Sequence, residues 1–439
     1  LAAYSPSPGI AVRAFSMSNK SKAPSLSREV EKIAKSLRDL ASKADFPATS
    51  SKNTSLHLRD GIVFSLPEGV AFPPEDALSV LLARRDYKAR FSMQFLSKKL
   101  SGIFCCCLSD PHYPLEHSIR VLLAELDCFS QERRVFIRVE GVVLLGICVD
   151  IGRVRLCPGD EHIIEETAVA ADRIIDLRPS SEEKKTTLKR QFRERLNKRV
   201  KGTCIAMISL NAEPVRAIEL AKEEVRRSLD LLRLGIKATH RLQDDIRIGI
   251  AGDHPSVVVD AVALSGSSIN AEAKRVGLPL RIDATFLNNL EQLGIFRVSK
   301  ALAKTRCTNL EEAIITSVHW FSVASCQDDK SNAFLLLVVS LETLFKQAEG
   351  ASIAGTVAEG AAFLLGQTKE QRLEISKLVR KFYRMRSSVA HSGRSSFTDI
   401  DLDRLMLIVL KVILEVVSRA DRLCTQGDLD NEIQLMKFS

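Results

Sequence analysis

The stretch from Lys377 to Arg394, K-L-V-R-K-F-Y-R-M-R-S-S-V-A-H-S-G-R, holds six basic residues and no acid. The six are Lys377, Arg380, Lys381, Arg384, Arg386 and Arg394, and His391 follows Arg386 after four residues. An imidazole titrates near ~6.5 and can accept or donate a proton at neutral pH. A guanidinium stays charged and offers a planar donor fork that matches two phosphoryl oxygens. Together they suit chemistry on an anionic backbone. The spacing alone decides little, because Arg155/His162, Arg233/His240, Arg247/His254 and Arg384/His391 fit the same loose pattern. A second reading stands beside the first: His391 caps a helix whose dipole favours its charge, and Arg386 pairs with an acid.

The surrounding residues predict how this stretch is held. Leu378, Val379, Phe382, Met385 and Val389 recur at three- and four-residue intervals, giving a helix with one apolar face and a cationic outer face. Gly393 stands where a C-cap belongs. Arg386 is preferred to Arg384 because it falls within a turn and a half of His391. Glu342 is the lone acid in an apolar helix. It either orients Arg386 or His391, or forms a partly buried ion pair between two helices. Tyr383 and Trp320 read as core aromatics, and His319 as a structural histidine.

The apolar periods predict an α+β chain: a mixed α/β region followed by an all-α bundle. Residues 1–56 are expected to be a flexible segment with one helix, opened by Ser27 and carrying Val30, Ile33, Ala34, Leu37 and Leu40 inward. The first methionine, Met17, is a candidate start. Residues 57–300 form the α+β region. Its strands are expected at Ile62–Leu66, Phe91–Phe95, Ile103–Leu108, Val135–Val139, Val142–Val149, Cys204–Leu210, Ile246–Ile250 and Val257–Leu264. Helices are expected at Ala77–Leu82, at Ile119–Leu126, around Leu188–Val200, and from Pro214 to Leu234 with Ile218 inward and Asn211 as cap. Residues 301–425 form the helical domain: Leu310–Ser325, Ala333–Gln347, Ser352–Leu365, Lys369–Ala390 and Asp401–Leu423, after a short helix capped by Asp283. Residues 426–439 are a tail.

Composition narrows the function classes. The 439 residues are 45% hydrophobic and 27% charged, which suits a globular chain of two or three domains. No apolar run approaches the ~18 residues that span a bilayer, so no membrane partner is expected. The ten cysteines read as reduced thiols, with Cys105, Cys106 and Cys107 in a strand core. His112, His117, Cys148, Cys157 and His162 match no common zinc spacing, so neither a metal nor a cofactor is expected. The net charge of +9 is patchy: residues 182–201 carry nine basic against three acidic residues, and 377–394 carry the six named above. Such patches suit phosphate backbones or solvated helix faces.

Three helical segments carry a family resemblance: H-W-F-S-V-A (319–324), D-D-K-S-N-A-F-L-L-L-V-V-S-L-E-T-L-F (328–345) and K-F-Y-R-M-R-S-S-V-A-H-S-G (381–393). Over about residues 305–423 they resemble the Apea-like branch of the HEPN domains. The segment A-I-E-L-A-K-E-E-V-R-R-S-L-D-L-L-R-L (217–234) resembles the stretch that precedes that domain. The resemblance implies a metal-independent endoribonuclease, of the kind that serves as a cytoplasmic toxin or an antiviral, abortive-infection effector in phage defence. It implies Arg386, His391 and Ser387 as the catalytic set, Glu342 behind them, and Lys377, Arg380, Lys381, Arg384 and Arg394 on the RNA. Family members often carry Asn, Asp or His where Ser387 stands.

In that chemistry a 2′-hydroxyl attacks its own phosphodiester and leaves a 2′,3′-cyclic phosphate. One histidine cannot deprotonate the nucleophile and protonate the leaving group at once. A second copy across a two-fold axis supplies the other, so a homodimer with a composite site is expected. Two other classes stay open: a bundle that binds RNA or a nucleotide without cutting, and a dimerising interaction protein whose association is indifferent to salt.

Overall fold

The structure is a computed structural model that describes residues 23–44, 55–59, 62–66, 70, 72, 74–240, 246–252, 259–265, 268–273, 278–345, 352–392 and 397–437. Met17, the loop from 45 to 54, Val257, Gln347, Gly393 and Arg394 lie outside the described residues, as do the side chains of His391 and Ser392. The fold is α+β, with mixed elements first and an all-helical region after them. The chain divides into two compact units, Leu1–Arg133 with Asn211–Ala217, and Arg134–Leu210 with Ile218–Ser439.

The first unit comprises α1 (Ala23–Ala41), the antiparallel pair β1 (Ser55–Arg59) and β2 (Ile62–Leu66), then α2 (Glu75–Ala83), α3 (Arg85–Arg90), α4 (Met93–Ser109) and α5 (Leu115–Asp127). Val30, Ile33, Ala34, Leu37 and Leu40 of α1 are buried in one core with Leu81, Phe104 and Leu122. The first helix is therefore a structural member of this unit. Two expected strands, Phe91–Phe95 and Ile103–Leu108, are corrected. Phe91 ends α3, and Ser92 caps α4 by accepting a 3.2 Å hydrogen bond from the Phe95 amide. Leu96, Leu100 and Phe104 are buried at four-residue intervals, so the helical period outweighs the strand-like composition. The cysteine trio turns with that helix: Cys105 is buried, Cys106 exposed and Cys107 between.

The second unit opens with most of β3 (Glu132–Glu140), then β4 (Val142–Leu144), β5 (Val149–Ile151), β6 (Val154–Pro158), α6 (Glu161–Asp176), α7 (Glu182–Val200), and most of β7 (Cys204–Asn211) and α8 (Pro214–Thr239). Then come β8 (Gly249–Ile250), the hairpin β9 (Val259–Ser265) and β10 (Ser268–Ala273), and β11 (Leu280–Ile282). Five strands form a sheet in the order β5-β6-β7-β3-β8, and β11 runs parallel to β4. Helix α6, absent from the sequence reading, is capped by Asp160 on the Ile163 amide. Its acids answer the cations of α7: Arg193 meets Glu165 and Asp172 at 2.8 and 2.9 Å, and Lys189 meets Asp176 at 2.7 Å. Helix α8 begins with Pro214 as expected, but Glu213 rather than Asn211 accepts its first amides, from Val215 and Arg216. Ile218, expected inward, is exposed, while Ala221, Val225, Leu229 and Leu232 are buried.

The helical region runs through α9 (Ala284–Gln292), α10 (Ile295–Ala303), α11 (Asn309–Ser325), α12 (Lys330–Glu342), α13 (Ile353–Leu365), α14 (Lys369–Ser392), α15 (Asp399–Arg419) and α16 (Gln426–Lys437). Capping boxes start two of them, Thr308 with Glu311 and Thr398 with Asp401. Helix α15 sends Leu405, Val409, Ile413 and Val416 into the core between α11, α12 and α13. The expected tail is α16, which buries Leu429 and Ile433 and packs against α13.

Close packing makes a specific demand at Gly360 of α13, where an added Cβ would run into the Phe345 ring. Gly102 of α4 has open space at the same position. Gly360→Ala is expected to lose about 1–3 kcal/mol in chemical denaturation, whereas Gly102→Ala should gain about 0.5–1 kcal/mol. Equal effects at the two sites would contradict this packing.

Candidate nucleic-acid interface

Helix α14 is held by its apolar stripe. Val379, Phe382, Tyr383 and Val389 are buried, and Ile375, Leu378 and Met385 pack against the same core. Phe382 meets Phe334 of α12 edge-on at 6.0 Å between centroids, and Phe334 stacks on Phe397 at 4.5 Å. With that stripe fixed, helical geometry assigns every other side chain a direction. Lys377, Arg380, Arg384 and Ser387 are exposed. No described residue forms an ion pair with Lys377, Arg380 or Arg384.

Helix α14 continues through Ser392, so position 391 lies on it. At about 100° per residue, positions 377, 380, 384, 387 and 391 fall within an arc of roughly 80°. Position 386 lies about 140° away from 391. The Arg386 guanidinium instead faces α12, where Nη2 sits 3.8 Å from Glu342 Oε2. Arg386 keeps 40% side-chain exposure and Glu342 keeps 21%, so this is a partly buried pair at the edge of the helix interface. The Tyr383 hydroxyl is buried beside the same carboxylate without a hydrogen bond of normal geometry. Burial first, and the neighbouring Glu342 second, push its pKa well up, so it stays a neutral phenol.

Lys381 is drawn away from the exposed row. Its Nζ donates to Asp401 Oδ1 at 2.8 Å, at the buried start of α15, where the other carboxylate oxygen accepts from the Thr398 amide and hydroxyl. The sequence-predicted set therefore divides. Lys377, Arg380, Arg384 and Ser387 share one exposed arc with position 391, Arg386 and Glu342 meet at the α12 side, and Lys381 serves a helix cap.

Comparison with known proteins finds no match: no family model, no curated protein and no solved structure matches the chain. Among the described residues, no helix is long and apolar enough to cross a membrane, and no three or more His, Cys, Asp and Glu cluster to hold a metal ion.

A second cluster was not legible as such. His319 and Trp320 of α11 do not sit in the core. His319 is about half exposed, Trp320 is half-buried, and both line a cavity. His319 Nδ1 lies 2.8 Å from Oδ2 of the buried Asp230 on α8. Oδ1 of Asp230 accepts from Arg233 at 2.9 Å and from the Ser322 hydroxyl. The Asp230 hydrogen bond, opposed by burial and by Arg227 and Arg233, raises the imidazole pKa above its ordinary 6.5.

The Lys381–Asp401 contact gives a pH test. The Lys381 hydrogen bond, with Thr398 assisting and burial opposing, holds the Asp401 carboxyl below its ordinary 3.8. A depressed carboxyl stabilises the fold above its unfolded value, and that gain disappears as pH falls through the folded value. Lys381→Met should therefore cost about 1 kcal/mol at pH 7, the Lys end being half in solvent. The difference from the parent should shrink toward zero as pH falls below the carboxyl range. A constant difference across that range would contradict the assignment.

Proposed function

We propose that this protein binds RNA along the outer face of α14 and cleaves it without a metal, His391 moving protons and an arginine steadying the phosphate. The observation that carries this reading is the row of exposed cations Lys377, Arg380 and Arg384 on the arc that contains position 391. The basic window on α7 carries no histidine, and acids of α6 answer its Arg193 and Lys189. Consecutive cations one helical turn apart match a phosphate backbone, which demands charge more than shape.

Helix geometry refines the roles. Arg384 stands on the arc that contains position 391, which supports adding it to Arg386 as a candidate for steadying a phosphorane. Arg386, held by Glu342, would face His391 from a second copy. Transesterification needs two proton-moving groups, so the reading includes a homodimer in which each copy brings its own His391 to a composite site. Ser387, exposed on the same arc, is placed to bond a phosphate oxygen. The setting suggested by the resemblance, a cytoplasmic effector of the toxin or antiviral kind, belongs to this same reading.

Non-catalytic RNA binding is the second reading. It is favoured by the pairing of Arg386 with Glu342, which spends part of that guanidinium's charge on the fold.

The test uses the purified chain in EDTA with single-stranded and structured RNAs. His391→Ala should abolish cleavage and the 2′,3′-cyclic phosphate product while leaving binding nearly intact. If the site is composite, His391→Ala chain exchanged in excess into the parent should depress activity below simple dilution, because each mixed dimer keeps one histidine of the two. The triple variant Lys377→Ala/Arg380→Ala/Arg384→Ala should bind at least ~10-fold more weakly and lower the log–log salt slope by about 2, as loss of three contacts to single-stranded RNA requires. Cleavage undiminished in His391→Ala would sink the ribonuclease reading. An unchanged salt slope in the triple variant would remove α14 as the RNA surface.

A further inference from the structure

A cavity of about 440 Å³ lies between α8, α10 and α11. Its walls are mostly apolar, supplied by Val298 and Leu302 of α10, Ile315, Val318 and Trp320 of α11, and Leu231 of α8. Its polar groups are few: Glu223, Arg226, Arg227 and Asp230 of α8, with Thr316 and His319 of α11. A pocket of this size with apolar walls and a few placed polar groups is the usual form of a small-molecule site.

The polar groups are organised by Asp230. It is buried, and it takes hydrogen bonds from Arg233 and Ser322 while its second oxygen holds His319 Nδ1. Arg233 is itself anchored, donating 2.7 Å to the Ile248 carbonyl. The imidazole is thus fixed in orientation, and Nε2 is the nitrogen that Asp230 leaves unengaged. Arg227, half exposed, stands in the same lining 3.4 Å from Glu224. A protonated His319 with Arg226 and Arg227, set against Glu223 and Asp230, leaves a single positive charge in the lining. The neighbours Arg233 and Glu224 cancel one another. One positive charge above an apolar chamber matches a monoanion with a hydrocarbon body better than a phosphate dianion.

We propose that this cavity binds a small hydrophobic monocarboxylate, its carboxylate held by His319 and Arg227 and its apolar body lying against Trp320, Ile315 and Leu302. The site is separate from the α14 surface and does not rest on the RNA reading. His319 is a binding residue in it, and Asp230 is the positioning residue that sets the imidazole.

Trp320 is the only tryptophan in the chain and stands in the wall of the cavity, so its fluorescence reports occupancy directly. Sodium decanoate and 4-phenylbutyrate, titrated up to about 5 mM and followed by Trp320 emission and calorimetry, should bind saturably. Decan-1-ol should bind at least ~10-fold more weakly and decylammonium more weakly still, because both lack the anion. Affinity should fall as pH rises through the imidazole pKa, because the ring then loses the charge that would face the carboxylate.

His319→Ala and Arg227→Ala change side chains that are half in solvent and should each weaken decanoate at least ~10-fold. Ile315→Phe, which fills the chamber, should abolish binding. The α14 triple variant should bind decanoate as the parent does, so loss of RNA binding and loss of this site are read separately. Saturable binding by neither carboxylate would overturn the proposal. So would equal affinity for decan-1-ol, or affinity unaffected in both His319→Ala and Arg227→Ala.

Discussion

The seating of α14 on α12 and α13 is the constraint from which the proposed RNA surface follows. Val379, Phe382, Tyr383 and Val389 must enter the core, and each fully buried apolar side chain contributes about 1.5–3 kcal/mol that no surface contact of the helix matches. Once those residues face inward, a rigid period of about 3.6 leaves no freedom elsewhere. Lys377, Arg380 and Arg384 must face outward, Arg386 must turn toward Glu342, and Lys381 must fall beside the start of α15. The cationic row is therefore a consequence of packing, maintained at no cost beyond the mutual repulsion of its charges. That repulsion is modest for solvated side chains in salt. It would be relieved by any phosphate chain laid along the row.

Asp230 plays the corresponding part between α8 and α11. Burying a carboxylate is costly unless its charge and lone pairs are answered. Here Arg233 supplies the charge, and Ser322 and His319 complete the hydrogen bonding. Such a cluster is more than a fastening. A serine and an arginine already satisfy one oxygen, so the histidine on the other is the member whose ring reaches the cavity. The same contact joins α8 to α11, so one pair serves both the helix packing and the wall of the cavity.

Most helices of the C-terminal half were legible from the period along their length, although α10 and α16 were not foreseen. Leu405, Val409, Ile413 and Val416 keep one period, and the caps at Asp283 and ahead of α15 mark the starts. The first half misled where composition and period disagreed. Phe91–Phe95 and Ile103–Leu108 are rich in aromatic and sulfur side chains that suit strands, yet Leu96, Leu100 and Phe104 bury at helical spacing. Helix α6 buries only a few residues, too sparse a stripe to register. At the candidate site the cations and Glu342 could be named from the chain. That Arg386 turns to Glu342 could not, because that carboxylate comes from another helix. The pairing of His319 with Asp230 spans 89 positions, and no local pattern signals a contact of that reach.

The contrast between α7 and α14 shows why charge counts alone cannot find a nucleic-acid surface. Both stretches are strongly basic, and on sequence α7 carries the more basic residues. But α7 lies against α6, whose Glu165, Asp172 and Asp176 take up Arg193 and Lys189, so part of its charge is spent within the fold. A phosphate arriving at Arg193 or Lys189 must displace a carboxylate already in place, and the gain from that contact is set against the pair that is lost. Along the outer arc of α14 the acids fall at the helix start, with Glu370 and Glu374, and the cations follow toward its C-terminal half. The helix dipole favours that order. It leaves Lys377, Arg380 and Arg384 with water and counterions as their only competitors among the described residues. Displacing counterions is what drives binding to a polyanion. Along α14 no such exchange faces Lys377, Arg380 and Arg384 among the described residues, and of the two basic runs that row alone leads to a histidine position.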